Sequence, residues 1–308
     1  MQSKRQLIIH AGLLLLGLGT LPLTPALAAD ASTLTHVHGL SYSPDGERIM
    51  IPSHHGLAVF SGGRWSMAPG PAHDYMGYSA TRDALYSSGH AAPGSGRDTP
   101  FGLIKSSDGG LSWKNLGLEG ESDFHTLGTS YATGAVYVFN HGVNSRMSQS
   151  GIHHTRNDGM QWKHAAAKGL VGDLKALAVH PDDADIVAAA TLSGLYLSRD
   201  AAQTFSRVVG GRQVLTSAFD LDGQSLLFSA YAGKPSLLRF GLAPGAAPQA
   251  LSLPAMSEDA VAYIAQNPVR RDELAIATFK RSVYLSKDGG RSWSAIAVAG
   301  ATRASEVK

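Results

Sequence analysis

The chain of 308 residues contains no cysteine. That absence excludes disulfides, thiolate zinc sites, iron–sulfur clusters and thiol catalysis together. Charge is also scarce: 16% of residues are charged, and 26 Lys and Arg face 24 Asp and Glu, a net +2 too small to point to nucleic acid or an anionic membrane surface. Beyond residue 28 no apolar run is long enough to span a bilayer. What the chain does have is 44% hydrophobic residues, enough for a full core, with 35 Gly and 13 His. Any metal would be held by His, Met, carboxylate or backbone.

Residues 1–28 read as a cleavable secretory signal peptide. Lys4 and Arg5 form a basic start, Leu7 to Leu23 an apolar stretch, and Ala26-Leu27-Ala28 a small-residue cleavage site. The sequence therefore predicts an exported, periplasmic, monomeric protein with residues 29–308 as its folded part. Without Lys4 and Arg5 the remainder carries 24 charges of each sign.

One eight-residue pattern recurs four times: Ser106 to Trp113 (SSDGGLSW), Thr155 to Trp162 (TRNDGMQW), Ser198 to Phe205 (SRDAAQTF) and Ser286 to Trp293 (SKDGGRSW). Its chemistry is that of a tight hairpin, with an Asx side chain accepting from the turn's own backbone, a glycine for positive φ, and a closing aromatic to pack between sheets. The closing aromatics stand 49, 43 and 88 residues apart, the last gap twice 44, so one copy is missing near residue 249. Gly62-Gly63-Arg64-Trp65 is a shortened first copy. Units of about 45 residues suit four-stranded propeller blades, placed at roughly 36–72, 73–122, 123–172, 173–212, 213–258 and 259–300.

The pattern resembles the Asp-box, or bacterial neuraminidase repeat. The resemblance implies a β-propeller of the sortilin-like and photosystem II assembly factor-like kind, akin to exported bacterial proteins labelled glycosyl hydrolases. Fold resemblance of this kind does not assign chemistry. A sialidase is disfavoured, because the Arg-Ile-Pro motif before the first repeat is missing and Glu is scarce among the candidate residues.

The predicted blade phase sorts the histidines. Strand starts and second-to-third strand loops share one face, which collects His36, His38, His54, His55, His73, His90, His125 and His141, all in blades 1–3. His153, His154, His164 and His180 fall on strands or a turn and read as structural. Asp74, Met76 and Asp123 share the strand starts with His38 and His125, and Met147 lies in a long loop. The expected site is thus a metal centre of His36, His38, His54, His90, His125, His141, Met76, Asp74 and Asp123. Imidazole and thioether in a thiol-free exported protein rank copper first and zinc second. Two alternatives remain: a glycoside hydrolase using Asp74 and Asp123 on a glycan, or an assembly factor binding a periplasmic protein through contacts such as Tyr231 and Phe279.

Overall fold

The structure is a computed structural model and describes residues 33–303; the predicted signal peptide lies outside them. The chain forms six antiparallel sheets arranged as a six-bladed β-propeller. The sheets span residues 41–67, 74–117, 127–164, 174–209, 213–251 and 261–302, five with four strands and the last with five. Within each sheet the strands follow chain order, as expected for hairpin-connected strands. No helix among the described residues is long and apolar enough to cross a membrane.

Six apolar clusters fill the six seams between neighbouring blades. Val187 and Ala189 of blade 4 pack with Tyr137 and Ile152 of blade 3, and Leu195 and Val209 of blade 4 with Leu226 and Phe228 of blade 5. The seam between the last and first blades is built like the others: Tyr42, Ile49, Phe60 and Trp65 meet Ala275, Val283 and Ile296. It is reinforced by the Trp65 indole N–H, which donates to the Ile296 carbonyl at 2.9 Å. Thr33 bridges to Ala301, so a segment preceding the first blade pairs with the last.

The recurrent turns share one hydrogen-bond pattern. The Ser106 hydroxyl donates to Asp108 at 2.7 Å, the Gly110 N–H donates to the Ser106 hydroxyl at 2.8 Å, and the Ser112 N–H donates to Asp108 at 2.9 Å. Asp200 and Asp288 repeat it with Ser198/Thr204 and Ser286/Ser292. In the second copy Asn157 takes the aspartate's place, accepting from Thr155 and Gln161. Asp158 then stands where the other copies have Gly109, Ala201 and Gly289, with φ of +55°. Its carboxylate leaves the turn to accept from Lys105 Nζ at 2.8 Å and the Tyr86 hydroxyl at 2.6 Å in blade 2. That inter-blade tie accompanies a left-handed conformation that an L side chain rarely adopts.

A glycine is required at one close approach. Gly77 (φ +49°) lies in an irregularity of the first strand of blade 2, and a Cβ there would sit 1.6 Å from the Phe124 carbonyl oxygen of blade 3. The inner strands of these two blades touch through backbone, which brings the starts of both strands together at the channel mouth.

Candidate metal centre at the channel mouth

A cavity of about 510 Å³ runs down the centre of the ring. His38, His125 and Phe279 line it at one mouth, and Tyr131, Pro181 and Pro268 line it among the turns of the opposite face. Between them the lining is mainly aliphatic, with Leu40, Leu177 and Ile264 among its residues.

The histidines at the mouth form two groups, each built around one aspartate. In the first, His36 and His38 precede the first strand of blade 1, and His54 follows its second strand (Arg48–Ser53). One ring nitrogen from each of these three lies within 4.8 Å of the others. His36 stacks on His38 with ring centroids 5.5 Å apart, and His54 tilts against both at 4.1 and 4.8 Å. Asp74, opening the first strand of blade 2 (Asp74–Ala80), faces them from across the seam. Its Oδ2 lies 2.7 Å from His54 Nδ1, and its Oδ1 3.8 Å from His38 Nε2. That His38 nitrogen and that Asp74 oxygen are both buried and lack a hydrogen-bond partner. Burial lowers the His38 pKa to about 4 despite the opposing attraction of Asp74, so the imidazole is neutral and has a nitrogen lone pair to offer a cation at neutral pH. His36 is lowered as well, by desolvation first and then by His54 and Arg281.

In the second group, His90 ends the second strand of blade 2 (Leu85–His90) and Asp123 and His125 precede the first strand of blade 3. Both imidazoles converge on one oxygen: His90 Nε2 lies 3.0 Å and His125 Nδ1 3.3 Å from Asp123 Oδ2. The other nitrogen of His90 is 2.9 Å from the Thr99 hydroxyl. The second oxygen of Asp123 is buried and unpartnered.

The structure divides what the sequence treats as one cluster. Seven of the predicted ligands, His36, His38, His54, Asp74, His90, Asp123 and His125, fall into these two groups. Met76 stands two residues along its strand from Asp74, on the same side by alternation. His141 is a correction: it is exposed, packs edge-on against the Phe139 ring at 4.9 Å, and makes no hydrogen bond or ion pair with either group among the described residues. Met147, carried by the same long loop, is buried in the seam between blades 2 and 3. Its loop is drawn inward by reciprocal backbone and side-chain bonds between Asn144 and Met147, and by Asn144 donating to Ser122. His73 is a second correction. It is buried against Phe101 and accepts the Ala92 N–H at 3.0 Å through Nδ1; as Asp74's neighbour on an extended strand it points away from the mouth, a signal available from alternation alone.

The histidines read as structural are so placed. His154 is buried and stacked on Tyr137, His153 is buried beside His164, and His180 accepts two backbone N–H groups of its own turn while its other nitrogen reaches the Gly223 carbonyl. On blades 4–6 the same mouth carries Lys175 and the exposed aromatics Phe279 and Tyr231, 62% and 41% accessible.

No protein-family profile matches the sequence, and no curated protein matches it. Solved structures of similar shape are numerous. The GH74 xyloglucanase from Xanthomonas campestris aligns at 15% identity over 88% of this chain and 47% of that one, with a TM-score of 0.56. The GH74 enzyme from Niastella koreensis aligns at 13% identity over 87% and 46%, with a TM-score of 0.57. YCF48 bound to D1 peptide aligns at 16% identity over 89% and 85%, with a TM-score of 0.51. The chain spans about half the length of the GH74 enzymes, and identities this low establish a shared propeller fold.

Proposed function

We propose that this protein is a periplasmic metal-binding propeller that holds a divalent transition ion through His36, His38, His54 and Asp74. One observation supports this reading above the rest: three imidazoles present nitrogens within 4.8 Å of one another, beside a buried His38 nitrogen and a buried Asp74 oxygen that face each other without hydrogen bonds. Buried polar atoms without partners are costly. A cation between them would satisfy both.

Bonds of about 2.0–2.1 Å hold neighbouring ligand atoms about 3.3 Å apart and opposite ones at most about 4.2 Å. The three nitrogens lie within 4.8 Å of one another, so the rings would close on an ion by side-chain rotation. The nitrogen and carboxylate set suits copper(II), zinc or nickel, and at equal geometry copper(II) binds such sites more tightly than zinc. Copper is therefore the first choice, with a role in copper handling or tolerance, and zinc the second.

Calorimetric titration of the full chain with Cu(II) and with Zn(II) tests the reading. The expected result is one tight step for each ion, tighter for Cu(II), that disappears in His36→Ala/His38→Ala/His54→Ala. Equal binding by wild type and variant would overturn it. A glycoside hydrolase would require Asp74 and Asp123 to act as a pair across one bond, whereas each carboxylate here engages its own imidazoles. Hydrolysis of xyloglucan or an aryl glycoside, lost in Asp74→Asn, would favour that alternative.

A further inference from the structure

We infer that His90, Asp123 and His125 form a second, separate site for a divalent transition ion. This rests on the metal-binding reading of the mouth but uses a different carboxylate and different imidazoles.

The spacing suits a shared ion. A tetrahedral ion with bonds of about 2.0–2.1 Å holds neighbouring ligand atoms about 3.3 Å apart. His90 Nε2 and His125 Nδ1 stand 3.0 and 3.3 Å from Asp123 Oδ2. Each imidazole–carboxylate spacing of this group is thus close to ligand separation.

The surroundings of His90 also suit a ligand. A carboxylate oxygen only accepts, so in its hydrogen bond with Asp123 the His90 Nε2 carries the proton, and in the neutral ring Nδ1 then accepts from Thr99. For Nε2 to bind an ion, the proton must sit on Nδ1. A threonine hydroxyl can turn from donor to acceptor, so Thr99 supports both tautomers and orients the ring, the role an outer partner plays for a ligating histidine. The buried, unpartnered Asp123 Oδ1 leaves the carboxylate with unused acceptor capacity.

The blade repeat places the two groups alike. In both groups the histidine at the end of a blade's second strand meets the aspartate that opens the next blade: His54 with Asp74, then His90 with Asp123. The next step would pair His141 with Asp173, but both are exposed and His141 lies on Phe139. The device is built twice and then stops. The two sites differ in access: both imidazoles of the second, His90 and His125, are 43% and 54% exposed, whereas in the first only His36 is exposed and the His38 and His54 side chains are 17% and 31% accessible. With one imidazole fewer and more solvent, the second site is the weaker and the faster to exchange.

Zinc uptake by the full chain, measured by equilibrium dialysis with elemental analysis and by calorimetry, tests the inference. Wild type is expected to take two ions per chain in two steps. His90→Ala/His125→Ala should take one, retaining the tight step, and His36→Ala/His54→Ala should take one, retaining the weak step. Thr99→Ala should weaken the weak step alone by roughly tenfold to a hundredfold, as losses of outer partners do, and Thr99→Ser should restore it. One ion per chain, unaffected by His90→Ala/His125→Ala and lost in His36→Ala/His54→Ala, would overturn the second site and leave the first standing. One ion lost only with His90→Ala/His125→Ala would support this site and overturn the first. No uptake by wild type would overturn both.

Discussion

Blades 1–3 and blades 4–6 are built from the same parts and end in different chemistry. Both halves use buried aliphatic strands, the same polar turns on one face and the same seam packing. At the opposite face, the first half ends its second strands in His54, His90 and His141, and the second half in Leu192, Tyr231 and Phe279. The propeller therefore fixes where a side chain stands in the ring without fixing what it is, and the mouth can vary in chemistry while the wall stays constant.

If wall and mouth are separable, a wall mutation should damage stability without touching ion binding. Phe228→Ala, in a fully buried position of blade 5, is expected to cost about 3–5 kcal/mol and lower the thermal midpoint by several degrees, with ion affinity unchanged by calorimetry. A large loss of affinity in that variant would break the comparison. The converse test removes ligands: His38→Ala/His54→Ala should weaken the tight ion step by more than the roughly hundredfold that loss of an outer partner can cause. Phe279→Ala and Tyr231→Ala, on the other half of the same rim, should leave that step unchanged.

The turns give a smaller effect with a defined pH signature. Hydrogen bonds from Ser112 and Ser106 hold the Asp108 pKa down to about 2, below the ordinary 3.8. A carboxylate depressed in the folded state stabilises above its unfolded pKa and loses that contribution as pH falls through the folded value. Asp108→Ala should therefore cost about 1 kcal/mol at pH 7, and the gap between wild type and variant should close between about pH 4 and pH 2 in acid denaturation. The smallest effect is expected at the closing seam. Trp65→Phe removes one hydrogen bond to Ile296 and should cost about 1 kcal/mol or less in urea unfolding, since the aromatic packing is kept.

The ring was legible because its turn chemistry recurs: Ser106, Asp108 and Trp113 announce a hairpin wherever they appear together. Asp158 was not, because an aspartate in the glycine place looks like one more turn residue, and only the neighbouring blade reveals Lys105 and Tyr86 as its partners. At the mouth, strand phase was enough to bring seven predicted ligands to one rim. It did not show that His141, on the same rim, packs on Phe139 instead of turning toward a carboxylate, or that Asn144 folds the Met147 loop back toward the seam. It also ran the two groups together, since strand phase locates residues around the rim without showing which carboxylate each imidazole turns toward.

Asp74 faces ligands that belong to a different blade. The three imidazoles facing it belong to blade 1, while the carboxylate belongs to blade 2, so whatever joins them adds to the side-chain packing and the Ser41–Tyr78 hydroxyl hydrogen bond that hold these two sheets. Transient separation of that seam would have to break those bonds first. An ion in the first group would thus act as a rivet, lengthening the lifetime of the closed ring, and amide hydrogens flanking the seam would exchange more slowly in the loaded protein while those between blades 4 and 5 kept their rates.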